Sequence, residues 1–139
     1  MAAIELAYAR PEYTDELIET HEARLRWLSF MAAWTIEDLR RALKAQEAYW
    51  MCDPNDLDCG FLVLRTYTTD KGTPGAFVWL AWSNSVATTT AAFEWLIEIL
   101  AATGFKELSF ISPRRGWQRL AKHYGFVERE DAHFYREVV

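Results

Sequence analysis

Residues 86–126 read VATTTAAFEWLIEILAATGFKELSFISPRRGWQRLAKHYGF, and the fold is decided by how the periodicity changes along them. Val86, Thr89, Thr90, Phe93, Leu96, Ile97 and Leu100 recur at helical spacing, which predicts a helix from Val86 to Thr103 with Gly104 as its C-terminal stop. Lys106–Ile111 then reads as a strand. Ser112-Pro113-Arg114-Arg115-Gly116 leads into a last helix that closes on Tyr124-Gly125-Phe126. A strand that returns after a helix requires a crossover connection. A short polar segment and a terminal strand ending in Phe134-Tyr135 complete this part of the chain.

On the N-terminal side, Ala48–Cys52, Phe61–Thr68 and Phe77–Trp82 are aromatic, β-branched or wholly apolar. Turn residues Asp58-Cys59-Gly60 and Asp70-Lys71-Gly72 separate them, so three successive antiparallel strands are expected. Before these, Ile4–Arg10 reads as a first strand stopped by Pro11. A helix from about Asp15 to Phe30 follows, its apolar stripe running through Leu17, Ile18, His21, Leu25 and Leu28. Thr35 caps a second helix with Ile36, Leu39 and Leu43 inward and Glu37, Asp38, Arg40, Arg41 and Lys44 outward. The whole order predicts one α/β domain over residues 1–139: a mixed, mostly antiparallel sheet with a parallel central pair, flanked by about four helices.

The chain has 139 residues, 51% of them hydrophobic, enough to bury a core without a metal or disulfide. Seven Trp, eight Phe and six Tyr belong mainly to packing, with some left to line a groove or an oligomer interface. A net charge of -5 argues against nucleic acid or an anionic membrane surface as the main partner, since phosphate binding needs a concentrated basic surface. No apolar run reaches the roughly 20 residues of a membrane helix. The start Met1-Ala2-Ala3-Ile4-Glu5 lacks the charged-then-apolar pattern of a leader, so a cytoplasmic protein is expected. Cys52 and Cys59 flank an acidic turn and are read as reduced structural thiols. That turn, Asp53–Asp58, is not read as a calcium loop, because Leu57 and Leu64 stand where oxygen ligands are needed. Three scattered histidines make no metal-site pattern, and His21, on an apolar stripe, reads as a core residue.

The order of elements over essentially the full chain, with Tyr124-Gly125-Phe126 in the place of the frequent "x-G-F" after the last helix, resembles the GNAT superfamily of N-acetyltransferases. The resemblance implies acetyl-CoA as cofactor, an amine as acceptor and transfer of an acetyl group between them. It places the cofactor in a V-shaped opening beside the fourth strand, its pyrophosphate at the N-terminus of the next helix, where free N–H groups and the dipole favour an anion. By that correspondence the cofactor-binding residues are Trp82, Ser83, Asn84, Ser85, Ala87, Thr88 and Thr89, together with Arg114 and Arg115 at the start of the last helix.

The sequence departs from the family at three points. Ser83–Ala91 contains no Gly, Gln or Arg, where the family has a Q/R-x-x-G-x-G/A loop. Its hydroxyls either donate to phosphate or simply cap the helix. In the last helix, Leu120, Gly125 and Phe126 match N-x-x-A-x-x-L-Y-x-K-x-G-F, but Arg114 replaces Asn, Trp117 replaces Ala, and Ala121 stands where many members carry the proton-donating Tyr. Tyr124 and Tyr135 are the candidate substitutes as catalytic acid. No base is evident on Phe77–Trp82. The basic series Arg114, Arg115, Arg119 and Lys122 either holds phosphate or forms a solvated face paired with Glu128, Glu130 or Asp131.

These departures leave a second function open: a non-catalytic protein of the same fold that binds a protein partner or itself, similar to small phage-encoded, virion-associated members with eroded cofactor loops. On that reading Trp27, Trp34, Trp79 or Trp82 contributes to an exposed interaction patch.

Overall fold

The computed structural model describes residues 6–30, 33–111, 115–129 and 133–138, without the side chains of Arg115 and His133. Among the sequence-derived candidates, Arg114 and the side chain of Arg115 therefore lie outside the described part, as do Glu130 and Asp131.

The chain runs β1 (Ala7–Tyr8), a 3-10 turn (Pro11–Tyr13), α1 (Thr14–Thr20), α2 (Glu22–Phe30), α3 (Ile36–Lys44), β2 (Tyr49–Cys52), β3 (Gly60–Thr68), β4 (Pro74–Ser83), α4 (Val86–Ala102), β5 (Glu107–Ile111), α5 (Arg115–His123), β6 (Val127–Glu128) and β7 (His133–Glu137). The strands form one sheet in the order β1-β2-β3-β4-β5-β7-β6. All pairings are antiparallel except β4 with β5, which α4 joins as a crossover. The mostly antiparallel α/β sheet with one parallel central pair is thus the observed architecture. Among the described residues, no helix is long and apolar enough to cross a membrane.

Both faces of the sheet are covered, as the near-continuous apolar runs of β3 and β4 require. On one face, α4 and α5 bury Phe93, Leu96, Leu100 and Ala121 against Val78, Leu108, Phe110 and Phe134. On the other, α1 to α3 bury Ile18, Leu25, Leu39 and Leu43 against Trp50, Phe61, Val63 and Leu80. α3 begins with a capping box: Thr35 Oγ1 accepts from the Asp38 amide at 3.1 Å and Asp38 Oδ2 accepts from the Thr35 amide at 2.9 Å.

Three local expectations need correction. The first strand, expected over Ile4–Arg10, is limited among the described residues to Ala7–Tyr8, while Ile4 and Glu5 lie outside the described part. The helix expected over about Asp15–Phe30 is two helices, broken at His21 (φ -108°, ψ 18°). Helical hydrogen bonds continue through the break, His21 N to Leu17 O at 3.1 Å and Leu25 N to His21 O at 2.9 Å. The bend lets the imidazole pack among Phe61 and Trp50, with ring centroids 4.8 and 5.5 Å away. Finally, Val86 is 80% exposed instead of joining the α4 stripe, because the first turn of α4 projects past the sheet before Phe93 reaches it.

Candidate functional site

The site begins with a fault in the ladder. β4 and β5 pair from Gly75↔Glu107 to Val78↔Phe110 and no further, although β4 continues to Ser83. At the same place the register with β3 shifts: Leu64 faces Val78 while Val63 faces Leu80, leaving Trp79 as an extra residue. Such a bulge bends its strand and increases the local twist. β4 is thereby turned away from β5, and the side of Trp79–Ser83 that β5 has left carries no strand partner among the described residues.

The end of β4 is held by Gly60. With φ +149° it adopts a backbone conformation that L side chains rarely reach, and a Cβ there would come within 2.8 Å of Ser83 Cα. Glycine at this position lets β3 lie against the Trp82–Ser83 backbone, and the Cys59 carbonyl accepts from the Asn84 amide at 2.9 Å.

Beside this splayed end lies an open groove of about 1130 Å3. Its walls are α2 (Arg24, Trp27, Leu28), the end of β4 with the start of α4 (Trp82, Ser83, Asn84, Ser85, Val86, Thr89), and α5 (Trp117, Arg119, Leu120). It shares Ala81, Trp82, Ser83, Thr89 and Trp117 with an apolar recess of about 40 Å3 that reaches Val78, Thr88 and Phe93. Of the nine cofactor-binding candidates, Trp82, Ser83, Asn84, Ser85 and Thr89 line the groove and Thr88 lines the recess. Ala87 lies in the exposed first turn of α4, and Arg115 opens α5.

The hydroxyls of the α4 start are engaged with one another. Ser85 Oγ accepts from the Thr88 amide at 3.1 Å and lies 3.0 Å from Thr88 Oγ1, which donates to Asn84 Oδ1 at 3.1 Å. Ser83 Oγ bonds Thr89 Oγ1 and also donates to the Ser85 carbonyl at 3.0 Å. The first turn of a helix has no intrahelical acceptors for its amides. With Thr88 capped by Ser85, the Val86 and Ala87 amides are the donors left for a ligand or water.

The charge of the groove is one-sided. None of its described lining residues is acidic, while Arg24 and Arg119 both reach it. Neither arginine has a carboxylate within ion-pair distance among the described residues. The α4 dipole adds partial positive charge at the same wall. Arg119 belonged to the basic series seen in sequence. Arg24 did not stand out, because nothing local shows that Trp82 comes beneath it: its guanidinium carbon lies 3.8 Å from the centroid of that ring.

The two tyrosines expected as proton donors lie outside the described walls of the groove. Tyr124 Oη donates to Glu94 Oε1 at 2.8 Å, and burial, reinforced by that carboxylate, raises its pKa. Its ring stacks on Phe93, which also touches Trp117 of the groove wall. Tyr135, on β7, lies beneath the Arg129 guanidinium at 3.5 Å. Of the four candidate patch tryptophans, Trp34 is only 8% exposed and packs edge-on against Trp79, whose ring in turn lies under Arg65. Trp27 is 48% exposed, and Trp82 is partly covered by Arg24.

A separate polar cluster sits at the far end of the β4–β5 ladder. Glu107, 7% exposed, accepts from Tyr67 Oη and from Arg129 Nη2 at 2.9 Å, and Ser109 Oγ lies 3.1 Å from Tyr67 Oη. Glu107 is thus an ion-paired structural carboxylate, away from the groove.

No protein-family model matches the sequence, and no curated protein matches it either. Solved structures do resemble the fold. A GNAT-family acetyltransferase from Listeria monocytogenes superposes with a TM-score of 0.69 at 9% identity, over 99% of this chain and 98% of its own. An acetyltransferase from Thermus thermophilus gives 0.65 at 16% identity, over 99% of each chain. A predicted acetyltransferase from Clostridium acetobutylicum, solved with acetyl-CoA, gives 0.68 at 10% identity over 92% of each. The chain therefore has the fold of the GNAT acetyltransferases.

Proposed function

We propose that this chain, folded as the GNAT acetyltransferases are, is an N-acyltransferase that moves an acetyl group from acetyl-CoA to an amine. The observation that carries the reading is the sign of the groove. In a chain of net charge -5, the space beside the splayed strand holds two arginines and a helix N-terminus but no acidic residue among its described walls. A site so charged suits a ligand rich in phosphate.

In this proposal the Val86 and Ala87 amides and Arg119 hold the phosphates, the Thr88 and Thr89 hydroxyls donate to them on giving up their bonds within the turn, and Arg114 and Arg115 are kept as candidates from the sequence. Ser83, Asn84 and Ser85 shape the turn, while the open edge of β4 at Trp82 orients the acyl arm. The apolar recess at Val78, Phe93 and Trp117 takes a methyl-sized group. Bound acetyl-CoA would supply an acetyl group activated as a thioester. The residues contribute mainly orientation and polarisation by fixed backbone donors. Tyr124 is retained as the proton donor for the departing thiolate, a role that requires its hydroxyl to leave Glu94. With no carboxylate among the described walls, the amine's proton leaves to solvent. Tyr135 receives no role.

The test is calorimetric titration with acetyl-CoA, with desulfo-CoA as comparison. Saturable binding in the micromolar range is expected, weakened at least about tenfold by Arg119→Glu, in line with loss of a charge-assisted contact and reversal of its sign. Absence of binding at millimolar ligand overturns the proposal.

A second reading rests on the Ser83–Thr89 turn, which satisfies its own hydroxyls and needs no ligand to be complete. It describes a protein-binding role, of the kind the phage-protein resemblance implies, and it predicts no acetyl-CoA binding. Burial of Trp34 removes one of the four aromatic residues it would use.

A further inference from the structure

The two groove arginines come from opposite faces of the sheet. α5 packs on the α4 face through Ala121, whereas α2 packs on the other through Leu25. A donor held by the α4 amides and Arg119 occupies the first face. An amine attacking the same acyl carbon must then arrive from the second, where Arg24 stands.

Arg24 is held from two sides. Its guanidinium lies over Trp82, and its Nη1 is 3.0 Å from His21 Nδ1. Burial keeps the His21 pKa low, so the ring is neutral at pH 7 and its Nδ1 can accept that hydrogen bond. The bond uses one of five guanidinium N–H groups. The rest meet no carboxylate among the described residues. A guanidinium fixed in orientation, with no carboxylate at ion-pair distance among the described residues, is prepared to bind an anion bidentately. Its neighbours on the wall, Trp27 and Leu28, are apolar.

We infer that Arg24 recognises an anionic group on the acceptor, which is accordingly a small amine carrying a carboxylate or phosphate. This rests on the acyltransferase reading. His21 is a positioning residue that acts through Arg24.

The experiment titrates matched pairs calorimetrically, with CoA saturating the donor site and again without it: phenylalanine against phenethylamine, leucine against 3-methylbutylamine, and phosphoethanolamine against ethanolamine. At least one anionic member should bind about tenfold to a hundredfold tighter than its partner, the range of one charge-assisted fork. The identity of that pair separates carboxylate from phosphate. Arg24→Met should erase the preference and lower acetyl-CoA affinity by much less than the tenfold expected of Arg119→Glu. Arg24→Lys, which keeps charge without the fork, should give an intermediate preference and carries the test if R24M unfolds. Equal binding within every pair, no binding by any anionic member, or a preference surviving in a folded Arg24 variant overturns the inference. So does a tenfold loss of acetyl-CoA affinity in R24M, which would place Arg24 on the donor. Failure of the wild-type protein to bind acetyl-CoA refutes the acyltransferase reading instead, and the titrations without CoA still decide the anion preference.

Discussion

Replacing Gly75 by alanine tests how the far end of the β4–β5 ladder is built. Gly75 faces Tyr67 across β3 and β4, and a Cβ on it would lie 2.5 Å from Tyr67 Cζ, 2.7 Å from Cε2 and 2.9 Å from Oη. Relaxed carbon contacts are about 3.5 Å or longer, so the ring must retreat by roughly 1 Å. The ring is half-exposed and can swing outward, but only by giving up its bonds to Glu107 and Ser109. Loss of a hydrogen bond to a buried carboxylate costs about 1.5–3 kcal/mol and of a neutral one about 0.5–1.5 kcal/mol. Alanine recovers about 0.5–1 kcal/mol over glycine in a strand interior. Some water reaches the vacated donor site, so the net loss should be about 1.5–3 kcal/mol, a fall in Tm of roughly 5–10 °C at this chain length. Thermal unfolding of G75A, Y67A and the double variant measures it. In the Y67A background there is no ring to displace, and G75A should be neutral or slightly stabilising there. Burial, with the Glu107 bond, raises the Tyr67 pKa to about 12. Spectrophotometric titration should find that high ionisation in the wild type and a return toward 10 in G75A. An unchanged Tm in G75A, or an equal penalty with and without the Tyr67 ring, would refute the reasoning.

Thr35→Ala removes one half of the α3 capping box and should cost about 0.5–2 kcal/mol, read as a lower denaturant midpoint at unchanged slope. His21 gives a pH dependence. Burial, with Arg24 adding repulsion and Asp58 opposing it, holds its folded pKa below the 6.5 of an unfolded chain. Between the folded value and 6.5 the unfolded chain takes up a proton that the folded one refuses. Its contribution is therefore complete above 6.5 and lost as pH falls toward the folded pKa. Chemical unfolding between pH 7.5 and 5 should show this acid loss in the wild type and a flatter profile in His21→Gln.

Much of the fold was legible because its signals are local. The α4 stripe, the antiparallel run β2 to β4 and the Thr35 cap each follow from residues close in sequence, and the parallel pair follows from α4 lying between two strands. The break at His21 was not legible. A stripe containing Leu17, Ile18, His21 and Leu25 fits one straight helix, and only the aromatic pocket of Trp50 and Phe61 explains the bend. The site divides in the same way. The α4 start was placed from the order of elements, as far as Trp82–Thr89. Arg24 did not stand out because its place over Trp82, far along the chain, and the lack of an ion-paired carboxylate among the described residues are visible only in the fold. Among the candidate patch tryptophans, Trp34 could not be set apart in sequence, because composition does not reveal that it turns inward onto Trp79.

The splay at Trp79 also bears on self-association. A strand edge with open donors and acceptors is a template on which further copies can stack. Here β4 opens its edge from Trp79 to Ser83 beside a groove flanked by α2, α4 and α5. The bulge thus limits the unpaired stretch to five residues beside three helices, a shorter template than a full strand edge.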